Sequence, residues 1–280
     1  MRVKVAVAQM DPVLGGIAQN LKKTIGFINT AAAEGAKLVV FPECSLTGYC
    51  FNNEEEIKNN ALTVGDEWTR ELTETARQAN VYTIVGFLES FAGKTYNSSL
   101  VIGPNGIAGT YRKAHLPSLG LDNFVSPGSD EFSLVETSIG KLGVLICYDI
   151  RFPEQARILA LQGADILVHI TNLPLTASSQ VDYLLPARAI ENRVYVVSSD
   201  RVGEERGFRF LGRSSIFGVN GETLAQANET DETVIYAELD LQVPRQKKVF
   251  YPAMEGKPVD HVNDLTGSRR PELYSPLIKL

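Results

Sequence analysis

Three ionisable side chains stand where apolar, strand-like runs of this chain end. Glu43 follows the run 37–41 after a single proline, Lys113 follows the run 109–112, and Cys147 follows the run 142–146. Ligands of α/β proteins bind in the crevice at the carboxyl ends of strands. A carboxylate, an ammonium and a thiol in comparable positions therefore form a candidate catalytic set.

The three groups have complementary chemistry. Cysteine attacks as its thiolate, and a nearby carboxylate can take the thiol proton. Glu43 can later return that proton to a leaving amine and then activate water. Lys113, together with a backbone N–H after Cys147, can stabilise the thiolate and the oxyanion of a tetrahedral intermediate. A carboxylate and a lysine would then replace the imidazole that most cysteine hydrolases use.

Each residue also has a purely structural interpretation. A cysteine after an apolar strand is often a small core residue. Glu43 can cap a helix or join a salt bridge, and Lys113 can belong to an exposed basic pair with Arg112. Spacing alone leaves both interpretations open.

The surrounding pattern predicts a single α/β domain over residues 1–246. Strand-like runs are found at 3–9, 37–41, 82–89, 95–102, 109–112, 132–136, 141–146, 166–170, 195–199, 214–219 and 233–239. Helical patterns are found at 17–34, 66–79, 153–161 and 180–192. Two strand-rich halves with helices between strands favour two sheets sandwiched by helices. The segment 247–280 is polar, punctuated by proline and nearly strandless, which is typical of a tail that lies across another surface.

Composition excludes several classes of function. The chain has 280 residues, a formal net charge of −6, three cysteines and three histidines. No CxxC pair or zinc spacing occurs, so neither a metal site nor a disulfide framework is expected. The acidic balance without a basic cluster argues against nucleic acid or an anionic membrane as a partner. No signal peptide or apolar run of ~18 residues is found, so a soluble cytoplasmic protein is expected.

Three segments of the chain resemble the nitrilase superfamily, the carbon–nitrogen hydrolases. They are Phe-Pro-Glu at 41–43 with Thr-Gly-Tyr at 47–49, Tyr-Arg-Lys-Ala-His-Leu at 111–116, and the run 143–154 around Cys147. They occur in the family's order with compatible spacing, and further similarity extends through 188–192 to 264–272. The resemblance covers essentially the whole chain.

The resemblance implies an α-β-β-α sandwich of two mixed sheets flanked by helices. It makes Glu43 the general base, Lys113 the oxyanion-stabilising lysine and Cys147 the acylated nucleophile, with no metal or organic cofactor. It also implies a homodimer or higher homo-oligomer, with the tail 247–280 packing across the dimer interface.

One position departs from the family pattern. Many members carry a second active-site glutamate six residues before the Pro-Gly that closes the loop after the lysine, and here that position is Leu121. We expect the adjacent Asp122 to support Lys113 instead, although a loop-capping aspartate is the alternative. The backbone N–H of Tyr148 is expected to face the oxyanion, and Tyr49 and Asn172 are expected to bind substrate.

These residues predict hydrolysis of a small carboxamide through a thioester on Cys147. A nitrilase acting on a small nitrile, or an N-carbamoyl amine hydrolase, would use the same three side chains. A member that only binds a ligand is disfavoured, because all three groups are present in the sequence.

Overall fold

The computed structural model describes residues 1–251, 253 and 261–278. The strands are β1 (Arg2–Gln9), β2 (Leu38–Val40), β3 (Tyr82–Phe91), β4 (Lys94–Gly103), β5 (Gly106–Arg112), β6 (Val135–Thr137), β7 (Gly140–Ile146), β8 (Ile166–Thr171), β9 (Tyr195–Asp200), β10 (Glu204–Glu205), β11 (Phe208–Arg209), β12 (Ser215–Phe217), β13 (Thr223–Gln226), β14 (Thr233–Asp240), β15 (Lys248–Tyr251) and β16 (His261–Asp264). The α-helices are α1 (Ile17–Ala33), α2 (Glu54–Asn60), α3 (Glu67–Ala79), α4 (Pro153–Leu161), α5 (Leu185–Asn192) and α6 (Gln242–Arg245). Shorter helical turns cover Gly120–Asn123, Cys147–Arg151, Leu175–Ala177, Gln180–Leu184, Pro271–Leu273 and Ser275–Ile278.

Two six-stranded sheets dominate the described residues. The strand order is β14-β1-β2-β3-β4-β5 in one and β13-β12-β9-β8-β7-β6 in the other. Strands β1, β2 and β3 pair in parallel, as do β7, β8 and β9, whereas the outer pairings are antiparallel. Both sheets are therefore mixed, and the predicted fold class is confirmed.

The side chains of β1 show how the layers are built. Val5 and Val7 pack into the core shared with the second sheet, whereas the alternate residues Ala6 and Ala8 pack against α1 and α3. This is the two-residue period of a strand buried on both faces. Leu159 of α4 joins the core on the side of the second sheet. The order of layers is thus helix, sheet, sheet, helix.

Several element boundaries differ from the sequence prediction, and α2, α6, β10, β11 and β13 were not predicted. The strand expected at 132–136 begins only at Val135. The helix expected at 180–192 starts as a wider π-helical turn, Gln180–Leu184, and becomes α5 at Leu185. Pro186 follows directly, and because proline has no N–H to donate it interrupts regular α-helical bonding.

The expectation of a nearly strandless tail is wrong for its first half. Strands β15 and β16 pair antiparallel, with Lys248 opposite Asp264 and Tyr251 opposite His261. Neither strand has a fully buried face. The alternation of apolar and polar residues that identifies a half-buried strand was therefore not available to the sequence prediction. No helix in the described ranges is long and apolar enough to cross a membrane.

Candidate active site

Cys147 lies at a sharp turn between β7 and the short helix Cys147–Arg151. Its backbone has a φ of 47°, which is unusual for a residue other than glycine. The His169 ring, fully buried on β8, contacts the Cys147 carbonyl oxygen through Nε2 at 3.0 Å and the Ser198 hydroxyl through Nδ1 at 2.9 Å. Burial lowers the pKa of His169 to about 4. The ring is therefore neutral at pH 7 and, because a carbonyl only accepts, carries its hydrogen on Nε2.

Lys113 is buried between two carboxylates rather than exposed beside Arg112. Its Nζ lies 2.8 Å from Oε1 of Glu43 and 2.6 Å from Oδ2 of Asp122. Burial alone would lower the pKa of Lys113, but the charges of Glu43 and Asp122 outweigh it and raise that pKa well above its usual value. Lys113 is thus a fixed ammonium ion.

Glu43 is a buried carboxylate with one oxygen engaged. Burial raises its pKa, while the charge of Lys113 acts in the opposite direction. Oε1 accepts hydrogen bonds from Lys113 and from Asn97. Oε2 is buried and has no hydrogen-bond partner in the described part of the chain. One oxygen of the carboxylate is therefore available for proton transfer.

The Cys147 thiol is protonated at rest. Its side chain is 9% exposed, and burial followed by the charge of Glu43 raises its pKa, while Lys113, the Thr171 hydroxyl and the Asn172 backbone amide partly offset this. Activation of such a thiol requires a base in contact with it. The charges of Glu43 and Lys113 both act on the Cys147 thiol, so the three side chains lie within electrostatic reach of one another.

Asn97 on β4 completes the cluster and was missed by the sequence analysis. Its Nδ2 donates to Oε1 of Glu43 at 2.7 Å and to Oδ1 of Asp122 at 3.0 Å. Its Oδ1 lies 3.5 Å from the thiol of Cys44. Asparagine is depleted in strands, so an asparagine inside the run 95–102 is a signal that sequence reasoning could have used.

The remaining predicted residues lie around this cluster. Tyr49 is buried, and its hydroxyl donates to Oδ2 of Asp122 at 2.8 Å, so it holds Asp122 in place. Asn172 follows β8, and neither polar atom of its buried side chain has a partner among the described residues. Tyr148 is half-buried in the first turn of the short helix Cys147–Arg151, where backbone N–H groups lack intrahelical acceptors.

Asp149 joins the segments that carry Lys113 and Cys147. Its carboxylate accepts from Tyr111 Oη at 2.7 Å, from the Ile146 backbone N–H at 2.9 Å and from the His115 backbone N–H at 3.1 Å. The ring Nδ1 of His115 also lies 2.7 Å away. His115 therefore bonds across to the turn that carries Cys147.

The geometry supports acid–base and nucleophilic chemistry. Within the described ranges, no cluster of three or more His, Cys, Asp or Glu side chains could hold a metal ion. The structure brings together a thiol, a carboxylate with a free oxygen and a fixed ammonium. These are the groups needed to attack an electrophilic carbon and stabilise the resulting charge.

Comparison with known proteins gives a consistent result. The family model described as carbon–nitrogen hydrolase matches residues 4–248. The chain is 40% identical to a protein named nitrilase from Pyrococcus abyssi over 273 aligned residues. The alignment covers 97% of this chain and 99% of the relative. It is 33% identical over 262 residues to the omega-amidase of Homo sapiens, covering 86% and 93%. The crystal structure of a carbon–nitrogen hydrolase from Helicobacter pylori aligns with a TM-score of 0.85 at 25% identity, covering 99% of both chains.

Proposed function

We propose that this chain, which belongs to the carbon–nitrogen hydrolase family, converts a small carboxamide and water into a carboxylic acid and ammonia. In this proposal Cys147 is the nucleophile, Glu43 the general acid and base, and Lys113 the group that stabilises the oxyanion. The observation that carries the proposal is a protonated, buried thiol that feels the charge of Glu43, whose Oε2 has no hydrogen-bond partner among the described residues.

The first half of the reaction forms a thioester. Oε2 of Glu43 takes the thiol proton while Sγ of Cys147 attacks the carbonyl carbon. Within the described residues, Lys113 donates to two carboxylates, which leaves one of its three ammonium hydrogens for the oxyanion. The backbone N–H of Tyr148 supplies a second donor. Protonated Glu43 then gives its proton to the leaving nitrogen, the carbon–nitrogen bond breaks and ammonia departs.

The second half releases the acid. Glu43, again a carboxylate, takes a proton from water, and the hydroxide attacks the thioester carbon. The carbon–sulfur bond breaks, and the proton held by Glu43 returns to the Cys147 sulfur. Glu43 acts first as base and then as acid in each half, so a raised pKa brings it closer to the working pH.

Asp122 and Asn172 have supporting roles in this proposal. Asp122 holds Lys113 at 2.6 Å and takes the place of the family's second glutamate. Asn172 offers a donor and an acceptor without partners among the described residues, which suit a polar group of the substrate. Tyr49 is proposed to close the pocket behind Asp122. Because Cys147 is almost fully buried, the substrate is expected to be small.

A substrate panel tests the proposal. Purified protein is incubated with small aliphatic carboxamides, nitriles and N-carbamoyl amines, and ammonia is measured. We expect release from a carboxamide, complete loss in Cys147→Ala and in Glu43→Gln, and near-normal release in the control Cys50→Ala, which removes a thiol outside the cluster. Release from nitriles with none from any carboxamide would refute the amide assignment.

Nitrile hydrolysis is the second candidate. It is favoured by the name of the relative from Pyrococcus abyssi, which shares 40% of its residues with this chain. Here the Cys147 sulfur would add to the nitrile carbon, and a thioimidate would precede the thioester. The substrate panel separates the two reactions, because only a nitrilase would release more ammonia from a nitrile than from the corresponding carboxamide.

We further propose that residues 1–246 form the catalytic domain and that the tail 247–280 packs across a homodimer interface. Apolar side chains are exposed on the outer helices and on the tail: Ile158, Leu161, Ile190, Leu273, Leu277 and Ile278. These side chains support the proposal, because a docked partner chain would remove them from water. Light scattering should give the mass of a dimer or higher oligomer, and removal of 271–280 should weaken it.

A further inference from the structure

We propose that Asn97 is a positioning residue that makes Oε2 of Glu43 the oxygen that exchanges protons. Its side-chain amide donates a hydrogen bond to Oε1 of Glu43 and another to Asp122, which holds the two carboxylates at a fixed separation. This inference rests on the proposed function of Glu43 as the base.

The hydrogen bonds around Asn97 form a closed ring. Nδ2 of Asn97 donates one hydrogen to Oε1 of Glu43 and the other to Oδ1 of Asp122, at 2.7 and 3.0 Å. Nζ of Lys113 donates to the same Oε1 and to Oδ2 of Asp122, at 2.8 and 2.6 Å. Two donors thus occupy Oε1, and Oε2 has none within the part of the chain that the structure describes.

The ring has a fixed direction. The Asn97 side chain is fully buried, and its Oδ1 faces the Cys44 thiol at 3.5 Å. Reversing the amide would place its oxygen against oxygens of both Glu43 and Asp122, which repel an acceptor. The amide therefore stays a donor towards both carboxylates.

Asn97 also fixes the lysine through its backbone. The Lys113 N–H donates to the Asn97 carbonyl oxygen at 2.8 Å, which continues the β4–β5 pairing by one residue. One residue of β4 thus holds the lysine by its main chain and the glutamate by its side chain. A neutral amide adds two donors without changing the charge of a site that holds two carboxylates and one ammonium.

The direction of the pKa effect gives a signature that a merely structural residue would lack. The hydrogen bond from Asn97 lowers the pKa of Glu43 and so opposes burial, which raises it. Loss of the amide should raise that pKa further. Because Glu43 must be ionised to act as base, the acid limb of kcat/KM should move to higher pH.

The test compares Asn97→Leu and Asn97→Asp with the control Ser99→Ala. Ser99 lies two residues along β4 on the same face, is fully buried, and its hydroxyl has no partner in the described residues. For Asn97→Leu we expect kcat to fall roughly 10- to 100-fold, KM to change little and the acid limb to rise. Asn97→Asp adds a negative charge and should move the limb further, whereas Ser99→Ala should leave it unchanged.

Alkylation of Cys147 by iodoacetamide separates this inference from the proposed function. Its pH dependence reports proton uptake by Glu43 without any turnover, and Glu43→Gln should abolish the acid limb. If the wild-type protein releases ammonia from no carboxamide, the proposed function fails, while an upward shift of the labelling limb in Asn97→Leu still supports the role of Asn97. If the limb in both Asn97 variants stays within about 0.2 pH unit of wild type, the inference is wrong. The isosteric Asn97→Asp variant provides the measurement if Asn97→Leu does not fold.

Discussion

Gly86 on β3 is where the strand touches the turn that carries Glu43, and Gly86→Ala should separate activity from overall folding. A Cβ at this position would lie 2.4 Å from the backbone N of Cys44, 2.6 Å from the Pro42 carbonyl oxygen and 2.7 Å from Cα of Glu43. Ordinary contact begins at 3.4 Å, so the nearest atom must move by 3.4 − 2.4 = 1.0 Å. All three atoms are backbone and cannot rotate away.

The turn rather than the strand should absorb this movement. Strand β3 pairs with β4 along nearly its whole length, with Gly86 opposite Ser99, whereas the turn 42–45 is bonded to Gly86 mainly through Ser45. Glu43 would then shift relative to Asn97 and Lys113. A displacement of ~1 Å of a catalytic group can reduce a rate by about 100-fold.

The assay measures kcat, KM, the rate of Cys147 alkylation and the melting temperature. We expect Gly86→Ala to lower kcat about 100-fold and to slow alkylation, with a smaller change in KM. The matched control is Gly26→Ala, because Gly26 lies in α1 with no atom within 4 Å of an added Cβ. That variant should keep full activity and gain about 0.5–1 kcal/mol of stability. A Gly86→Ala protein that retains kcat within threefold of wild type would show that the turn does not fix Glu43.

Two further predictions concern the supports of the site. Asp149→Asn removes the oxygen that accepts from Tyr111 and from the Ile146 backbone, so the free energy of unfolding should drop by roughly 3–6 kcal/mol and Cys147 alkylation should slow. The control is Asp182→Asn, which breaks only a partly exposed ion pair. Equal melting temperatures of the two variants would contradict this prediction. His169 has a folded pKa of about 4 against 6.5 unfolded, so between these values only the unfolded chain binds the proton, and stability falls as pH drops. Between pH 7 and pH 5, His169 should reduce the free energy of unfolding of the wild-type protein by about 2 kcal/mol, and His169→Gln should lack this reduction. The same pH dependence of unfolding in the two proteins would disprove the prediction.

The sequence predicted the residues that stand at strand ends, because that position can be recognised from local pattern. Glu43, Lys113 and Cys147 each follow an apolar run, and the structure places them in one cluster. Asp122 was expected from the resemblance, and it lies against Lys113. Their catalytic roles remain predictions that the experiments above test.

The residues that were missed depend on strand pairing. Asn97 bonds to side chains 54 and 25 residues away in the chain, and His169 bonds to the carbonyl of a residue 22 positions earlier. Nothing local in a strand shows which residue will lie opposite it. The pairing of β15 with β16 was missed for a similar reason, since nine residues separate the two strands along the sequence.

The two carboxylates on Lys113 also decide which group can be acylated. An amine reacts with a carbonyl only when it has lost its proton, and Glu43 and Asp122 keep Lys113 protonated far above neutral pH. A thioester on Cys147 would lie beside a lysine that has no lone pair to offer. Transfer to that lysine would produce an amide that water attacks far more slowly than a thioester, so the enzyme would inactivate itself. The same contacts that place the ammonium would therefore protect the site from the proposed thioester.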